Sequence, residues 1–174
     1  MKALFLDRDG IINVDHGYVS TIDEFEFMDG IIALLKLFSE ARFILIIVTN
    51  QSGIGRGYYS KEDFDTLSSW LIAELKKEID IRAIYHCPHS PDQNCNCRKP
   101  SIGMIEQALT EYPITLEKSW MIGDKESDIQ LAHNAKIGNS IFIGEKALTT
   151  ATLSFQNVAQ CYQYFQENKD KIYH

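Results

Sequence analysis

The sequence predicts an α/β fold with a doubly wound parallel sheet and helices on both faces. Two observations predict it. Short apolar runs suited to buried strands alternate with longer segments of helical period, the pattern of parallel strands joined by crossover helices. Short polar motifs follow the strand runs, at the edge where such sheets bind ligands. At 174 residues the chain is long enough to bury one full core, giving a single domain over 1–174.

Residues 3–6 (Ala-Leu-Phe-Leu) read as a buried first strand. Asp29 is placed to cap a helix running to about 41, with Ile31, Leu34, Leu35 and Phe38 on one face. The isoleucine-rich run 43–48 suits a parallel strand covered on both sides. Residues 50–59 read as a glycine-containing loop. Ser60 and Asp63 form a capping box before a long helix to about 79, striped by Phe64, Leu67, Leu71 and Leu75. Residues 81–85 make a third strand and lead into a polar loop. A helix over 101–111 turns Met104, Ile105, Ala108 and Leu109 inward. Residues 120–122 are a fourth strand, 127–136 a helix and 140–143 a fifth strand. The tail from about 155 is a helix with Val158, Cys161, Tyr162 and Phe165 packing back. Segments 11–28 and 51–59 are too short for a large cap domain.

Apolar content is 45% and charged content 24%, as expected of a soluble globular protein. A net charge of -7 gives no basic footprint for nucleic acid or an anionic membrane, so an anionic ligand must be drawn by local cations. The first apolar run is too short for a signal peptide or a membrane span. The expectation is a cytoplasmic protein with reduced thiols, which makes its cysteines metal ligands or buried side chains before disulfides. Nothing in the sequence demands more than a monomer.

Four motifs in order carry the chemistry: Phe5-Leu6-Asp7-Arg8-Asp9-Gly10, Thr49-Asn50-Gln51, Arg98-Lys99-Pro100 and Gly123-Asp124-Lys125-Glu126-Ser127-Asp128. Asp7 and Asp9 are two apart, so in extended chain both carboxylates face one site. Asp7, directly ending the strand, is the candidate nucleophile; Asp9 is the candidate acid and base. Carboxylates this close repel each other and an incoming phosphate. Mg²⁺ on Asp7, Asp9 and Asp124 relieves that repulsion, with Asp128 nearby as an orienting acid. The Thr49 hydroxyl is placed to bind phosphoryl oxygens, and Arg98 and Lys99 to neutralise them. Alone, an Asp-x-Asp also fits a turn or cap, a strand-ending Thr a cap, and adjacent cations a solvated surface. Four such motifs in order favour phosphoryl transfer.

The loop Cys87-Pro88-His89, five residues, then Cys95-Asn96-Cys97 gathers four soft or borderline ligands. That set suits a closed tetrahedral structural Zn²⁺ site on Cys87, His89, Cys95 and Cys97. Cys97 directly precedes Arg98 and Lys99, so fixing the loop aims both cations. Cys161 is expected to be a buried apolar side chain. His133 is expected on a helix surface, and His86 is left outside the cluster. His16 with Gly17 and Tyr18 fits a loop that closes over a ligand.

The ordered set resembles the haloacid-dehalogenase-like phosphatases over roughly 3–144, departing at Ile11, where Thr or Val is common. The resemblance implies a Rossmann-like core, Asp7 as nucleophile, Asp9 as acid/base, Thr49 and Lys99 as phosphoryl stabilisers and Asp124 on Mg²⁺. Asn13-Val14-Asp15-His16-Gly17-Tyr18, Thr49-Asn50-Gln51-Ser52 and the cysteine loop narrow it to the D,D-heptose 1,7-bisphosphate phosphatase group, beside the histidinol-phosphate phosphatases. That group implies a sugar phosphate substrate met by Asp15, His16, Gly17, Tyr18, Asn50, Gln51, Ser52 and Lys125 as well as Arg98 and Lys99. It also implies a place in nucleotide-activated heptose synthesis. Histidinol-phosphate hydrolysis and a zinc-stabilised binding module without catalysis are the alternatives.

Overall fold

The computed structural model describes residues 1–173. Its strands are β1 (Lys2–Leu6), β2 (Phe43–Asn50), β3 (Ile81–Cys87), β4 (Trp120–Gly123), β5 (Asn139–Ile143) and β6 (Leu153–Phe155). They form one six-stranded sheet in the order β3-β2-β1-β4-β5-β6, every neighbouring pair parallel. The helices are α1 (Ile31–Glu40), α2 (Ser52–Gly55), α3 (Lys61–Leu75), α4 (Gly103–Glu111), α5 (Glu126–Asn134), α6 (Val158–Glu167) and α7 (Asp170–Tyr173).

Strand alternation divides the core into two layers. Leu4, Leu6, Leu45 and Ile47 pack with Leu34, Phe38, Val158 and Phe165 of α1 and α6. Ala3, Phe5, Ile46 and Val48 pack on the other face with Met104, Ile105 and Ala108 of α4 and Leu131 and Ala132 of α5. The doubly wound sheet therefore appears as predicted. Ile11 is fully buried in the first layer, so its departure from the common residue is a packing matter. Among the described residues no helix is long and apolar enough to cross a membrane.

Several local expectations change. α1 is capped by Gly30 rather than Asp29. Gly30 has φ +81°, and any Cβ there would press on the Ala159 backbone, so packing by α6 fixes this end. α3 has the predicted capping box: Ser60 Oγ accepts from Asp63 N at 3.0 Å and Asp63 Oδ2 from Ser60 N at 2.8 Å. It stops at Leu75, four residues early. Leu109 is exposed rather than buried. The loop 50–59 contains α2, and the sheet gains β6 at its edge.

Candidate active site

The carboxyl ends of β1, β2 and β4 converge. Asp7 follows β1 and donates its backbone N–H to Ile122 O of β4 at 3.1 Å. Its carboxylate is buried, with Lys99 Nζ 3.0 Å from Oδ1. The same ammonium lies 2.7 Å from Asp128 Oδ1 and donates to Val48 O at 3.0 Å. Lys99 is therefore sewn between β1, β2 and α5. Asn50, the last residue of β2, holds its backbone: Asn50 Oδ1 accepts from Lys99 N at 3.0 Å.

Burial pushes the Asp7 carboxyl up to about 7, against the pull of Lys99 and with the help of Asp128 and Asp124. Burial likewise raises Asp124 to about 6, with Lys125 opposing and Asp128 adding. Burial alone would depress Lys99, but Asp128 and Asp7 overcome it and hold the ammonium charged. Lys125 is also raised: burial opposes this, but Asp7, Asp124 and Asp15 outweigh it.

Oxygens of Asp7, Asp124 and Asp128 lie within 4.8 Å of one another. Asp124 Oδ1 is buried without a hydrogen-bond partner. Gly10, at φ +86°, has no room for a Cβ beside the Asp124 carboxylate. Buried, mutually repelling oxygens of this kind fit a hard cation. The triad takes Asp128 where the sequence pointed to Asp9. Extended backbone ends at Leu6, and the chain turns at once, with the N–H groups of Ile11, Ile12 and Asn13 all directed to Arg8 O. Asp9 still lines the same cavity as Asp7, but its carboxylate is not among the three clustered oxygens. Its Oδ1 accepts from Arg8 Nη2 at 2.9 Å and Asn13 Nδ2 at 3.0 Å, and its Oδ2 from Gln51 Nε2 at 3.0 Å.

Two adjoining cavities open here. The inner one, about 210 Å³, is lined by Asp7, Asp9, Arg98, Lys99, Lys125 and Asp128, with Asn50, Ser52 and Ser127. Arg98 Nη1 is buried without a partner, an unused donor suited to an anion. The outer cavity, about 230 Å³, is lined by Asp15, Gly17, Tyr18, Gln51 and Tyr59, and shares Asp9, Asn50, Ser52 and Lys125 with the inner one.

Two predicted site residues sit elsewhere. His16 points to the surface, where Nε2 meets Glu26 Oε2 at 2.8 Å. Thr49 is fully buried and lines neither cavity, and its hydroxyl accepts from Gln51 Nε2 at 2.9 Å. Arg8, Asn13 and Tyr59 were not assigned roles from the sequence. Arg8 and Asn13 lie inside quoted motifs, but only the turn after β1 shows that both aim at Asp9.

The cysteine loop closes on itself. Cys87 Sγ is 3.7 Å from Cys95 Sγ and 3.0 Å from Cys97 Sγ; His89 Nδ1 is 3.4 Å from Cys87 Sγ and 3.2 Å from Cys97 Sγ. A tetrahedral zinc site with sulfur bonds of about 2.3 Å separates its sulfurs by about 3.8 Å, so these donors already stand at or inside the distance that bound ligands keep. The donor set and spacing thus fit Zn²⁺. Burial raises Cys87, whereas Cys95 is lowered to about 7 because the backbone N–H groups of Arg98 and Cys97 outweigh burial. The loop is anchored by Gly55 N to Pro88 O at 2.8 Å and Gly103 N to Asn96 O at 2.9 Å. Cys161 is buried in α6, as expected.

A buried strand-end carboxylate, a buried lysine and an acidic triad on a doubly wound sheet are the arrangement of a haloacid-dehalogenase-like site. A HAD-hydrolase-like family model matches residues 96–144. The chain belongs to the haloacid-dehalogenase-like hydrolases, as close relatives show. It is 50% identical over 151 residues to the D-glycero-beta-D-manno-heptose-1,7-bisphosphate 7-phosphatase of Helicobacter pylori, covering 86% of this chain and 87% of the relative. It is 45% identical over 168 residues to the D-glycero-alpha-D-manno-heptose-1,7-bisphosphate 7-phosphatase of Campylobacter jejuni, covering 95% and 96%. The crystal structure of D,D-heptose 1,7-bisphosphate phosphatase from B. bronchiseptica, complexed with magnesium and phosphate, superposes with a TM-score of 0.83 at 26% identity, covering 97% of this chain and 99% of that one.

Proposed function

We propose that this protein removes the 7-phosphate of a D-glycero-D-manno-heptose 1,7-bisphosphate, through a phosphoaspartyl intermediate on Asp7, in nucleotide-activated heptose biosynthesis. One observation carries the mechanism. Asp7 stands at the end of β1, in the wall of a cavity that also holds Arg98, Lys99 and Lys125. The substrate class follows from relatives that share half the sequence and are named for this reaction.

The 7-phosphate enters the inner cavity and the sugar occupies the outer one. An Asp7 oxygen attacks phosphorus, and the bond from phosphorus to the sugar oxygen breaks. The departing oxygen keeps the electron pair and takes a proton from Asp9. Asp9 then accepts a proton from water as the water oxygen attacks phosphorus. The bond to Asp7 breaks, phosphate leaves, and both carboxyl groups are restored. Arg98, Lys99 and Lys125 balance charge on the phosphoryl oxygens, and Ser52 offers a hydroxyl between the cavities. Asp15, Gly17, Tyr18, Asn50 and Gln51 face the sugar.

Asp7, Asp124 and Asp128 would hold Mg²⁺, which when bound neutralises charge between the carboxylates and the phosphoryl oxygens. Cys87, His89, Cys95 and Cys97 would hold a structural Zn²⁺, fixing the loop that delivers Arg98 and Lys99. The enzyme works in the cytoplasm on a diffusible sugar phosphate and needs no nucleic-acid or membrane partner.

Phosphate release from both heptose bisphosphate anomers and from histidinol phosphate, in parallel and with or without Mg²⁺, tests this reading. Fast Mg²⁺-dependent release from one heptose anomer is expected. Preference for histidinol phosphate would overturn the substrate assignment, and silence on all three would overturn the function.

A further inference from the structure

The acid/base carboxylate is held asymmetrically. Asp9 Oδ1 takes two donors, the buried Arg8 guanidinium at 2.9 Å and Asn13 Nδ2 at 3.0 Å. Oδ2 takes one, Gln51 Nε2 at 3.0 Å. An ionised carboxylate oxygen accepts about two hydrogen bonds, so Oδ2 keeps a lone pair and Oδ1 does not. Oδ2 is therefore the oxygen able to carry the transferred proton, and Gln51 sets its direction.

Gln51 is itself fixed from three sides. Its backbone N–H donates to Cys87 O at 2.7 Å, its Nε2 also donates to Thr49 Oγ1 at 2.9 Å, and its Oε1 accepts from the Tyr59 hydroxyl. A flipped amide would turn a carbonyl oxygen against the Asp9 carboxylate. The Tyr59 hydroxyl, by occupying Oε1, holds the amide the right way round. Burial pushes that hydroxyl up to about 12, so it stays a donor across the working pH range. Gly53 leaves room for the Tyr59 ring, since a Cβ there would collide with it.

The geometry points to Tyr59 as a positioning residue that, through Gln51, aims Asp9 Oδ2 at the departing oxygen of the substrate. This rests on the reading of Asp9 as the acid. A poor leaving group such as a sugar alkoxide needs that proton, whereas a p-nitrophenolate leaves with little help. Loss of aim should therefore discriminate between the two esters, which a general loosening of the fold would not do.

The test compares kcat at saturating substrate, since a lost ground-state contact with the sugar raises KM instead, for a heptose 1,7-bisphosphate and for p-nitrophenyl phosphate in the wild type, Tyr59→Phe, Gln51→Leu and the double variant, with Mg²⁺ present. A positioned general acid contributes about 10²-fold or more, and partial misaiming should cost the sugar ester about tenfold more than the aryl ester. In the Gln51→Leu background, Tyr59→Phe should add no further loss on the sugar ester. Equal losses on both esters, or full additivity in the double variant, would overturn the inference while leaving the proposed function intact. A wild type that turns over neither ester would overturn both.

Discussion

Lys99 Nζ stands 3.0 Å from Asp7 Oδ1, both side chains buried. A cation from the end of the cysteine loop thus sits on the strand-end carboxylate proposed to attack phosphorus. Asp128 shares the same ammonium at 2.7 Å. Removing the lysine leaves two buried carboxylates facing each other.

Lys99→Met should therefore cost both activity and stability. Loss of a preorganised cation at the phosphoryl site is expected to lower kcat at least about a hundredfold. Leaving buried charges uncompensated destabilises by about 3–5 kcal/mol. Thermal melts should show the drop, and Mg²⁺ should recover part of it by taking over the carboxylates. A variant with wild-type kcat would remove Lys99 from the phosphoryl site.

The raised carboxyls give a pH dependence with a definite sign. Asp7 rises to about 7 and Asp124 to about 6, both chiefly through burial. A raised folded-state value means the metal-free fold holds protons more tightly than the unfolded chain. Their contribution to stability is present below the ordinary value of 3.8 and is lost as pH rises through 6 to 7. Mg²⁺ binding must expel those protons, so the rise in Tm on adding Mg²⁺ should be larger at pH 8 than at pH 5.5. An equal or larger rise at pH 5.5 would contradict this account.

Gly10 is the clearest backbone test. At φ +86°, with the Asp124 carboxylate against its open side, it excludes any side chain. Gly10→Ala should displace Asp124 and weaken Mg²⁺ binding by about tenfold or more, a ligand-shell effect of the size expected from disturbed supporting contacts. Isothermal titration with Mg²⁺ reads this directly.

The cysteine loop should carry about one zinc per chain, as four protein ligands close a tetrahedral site. Cys95→Ser is expected to lose the metal, lower Tm and reduce kcat, because Arg98 and Lys99 follow the loop directly. Metal analysis of purified protein checks the first point. Cys161→Ser, buried in α6 away from the cluster, should keep its zinc.

Much of this was legible in the sequence. β1 and β2 are continuous apolar runs, and the end of β1 marks Asp7 without further information. The cysteine loop was legible because ligand chemistry and short spacing sit in one segment. What the sequence hid depends on distant contacts. β6 is three half-buried residues at a sheet edge, too short for a periodic signal. Gly30 replaces Asp29 as the cap because α6 packs against it. Asp128 joins Asp7 and Asp124 from α5, where Lys99 holds it, while Asp9 is tied to Arg8, Asn13 and Gln51. His16 is drawn outward by Glu26, a residue ten positions on.

The most direct test of the central claim is to trap the intermediate. Turnover of a heptose 1,7-bisphosphate carrying labelled 7-phosphate, quenched in acid within one catalytic cycle and mapped by peptide mass spectrometry, should place the label on Asp7. Phosphate release at full rate with Asp7 unlabelled, or with the label on another residue, would contradict the account.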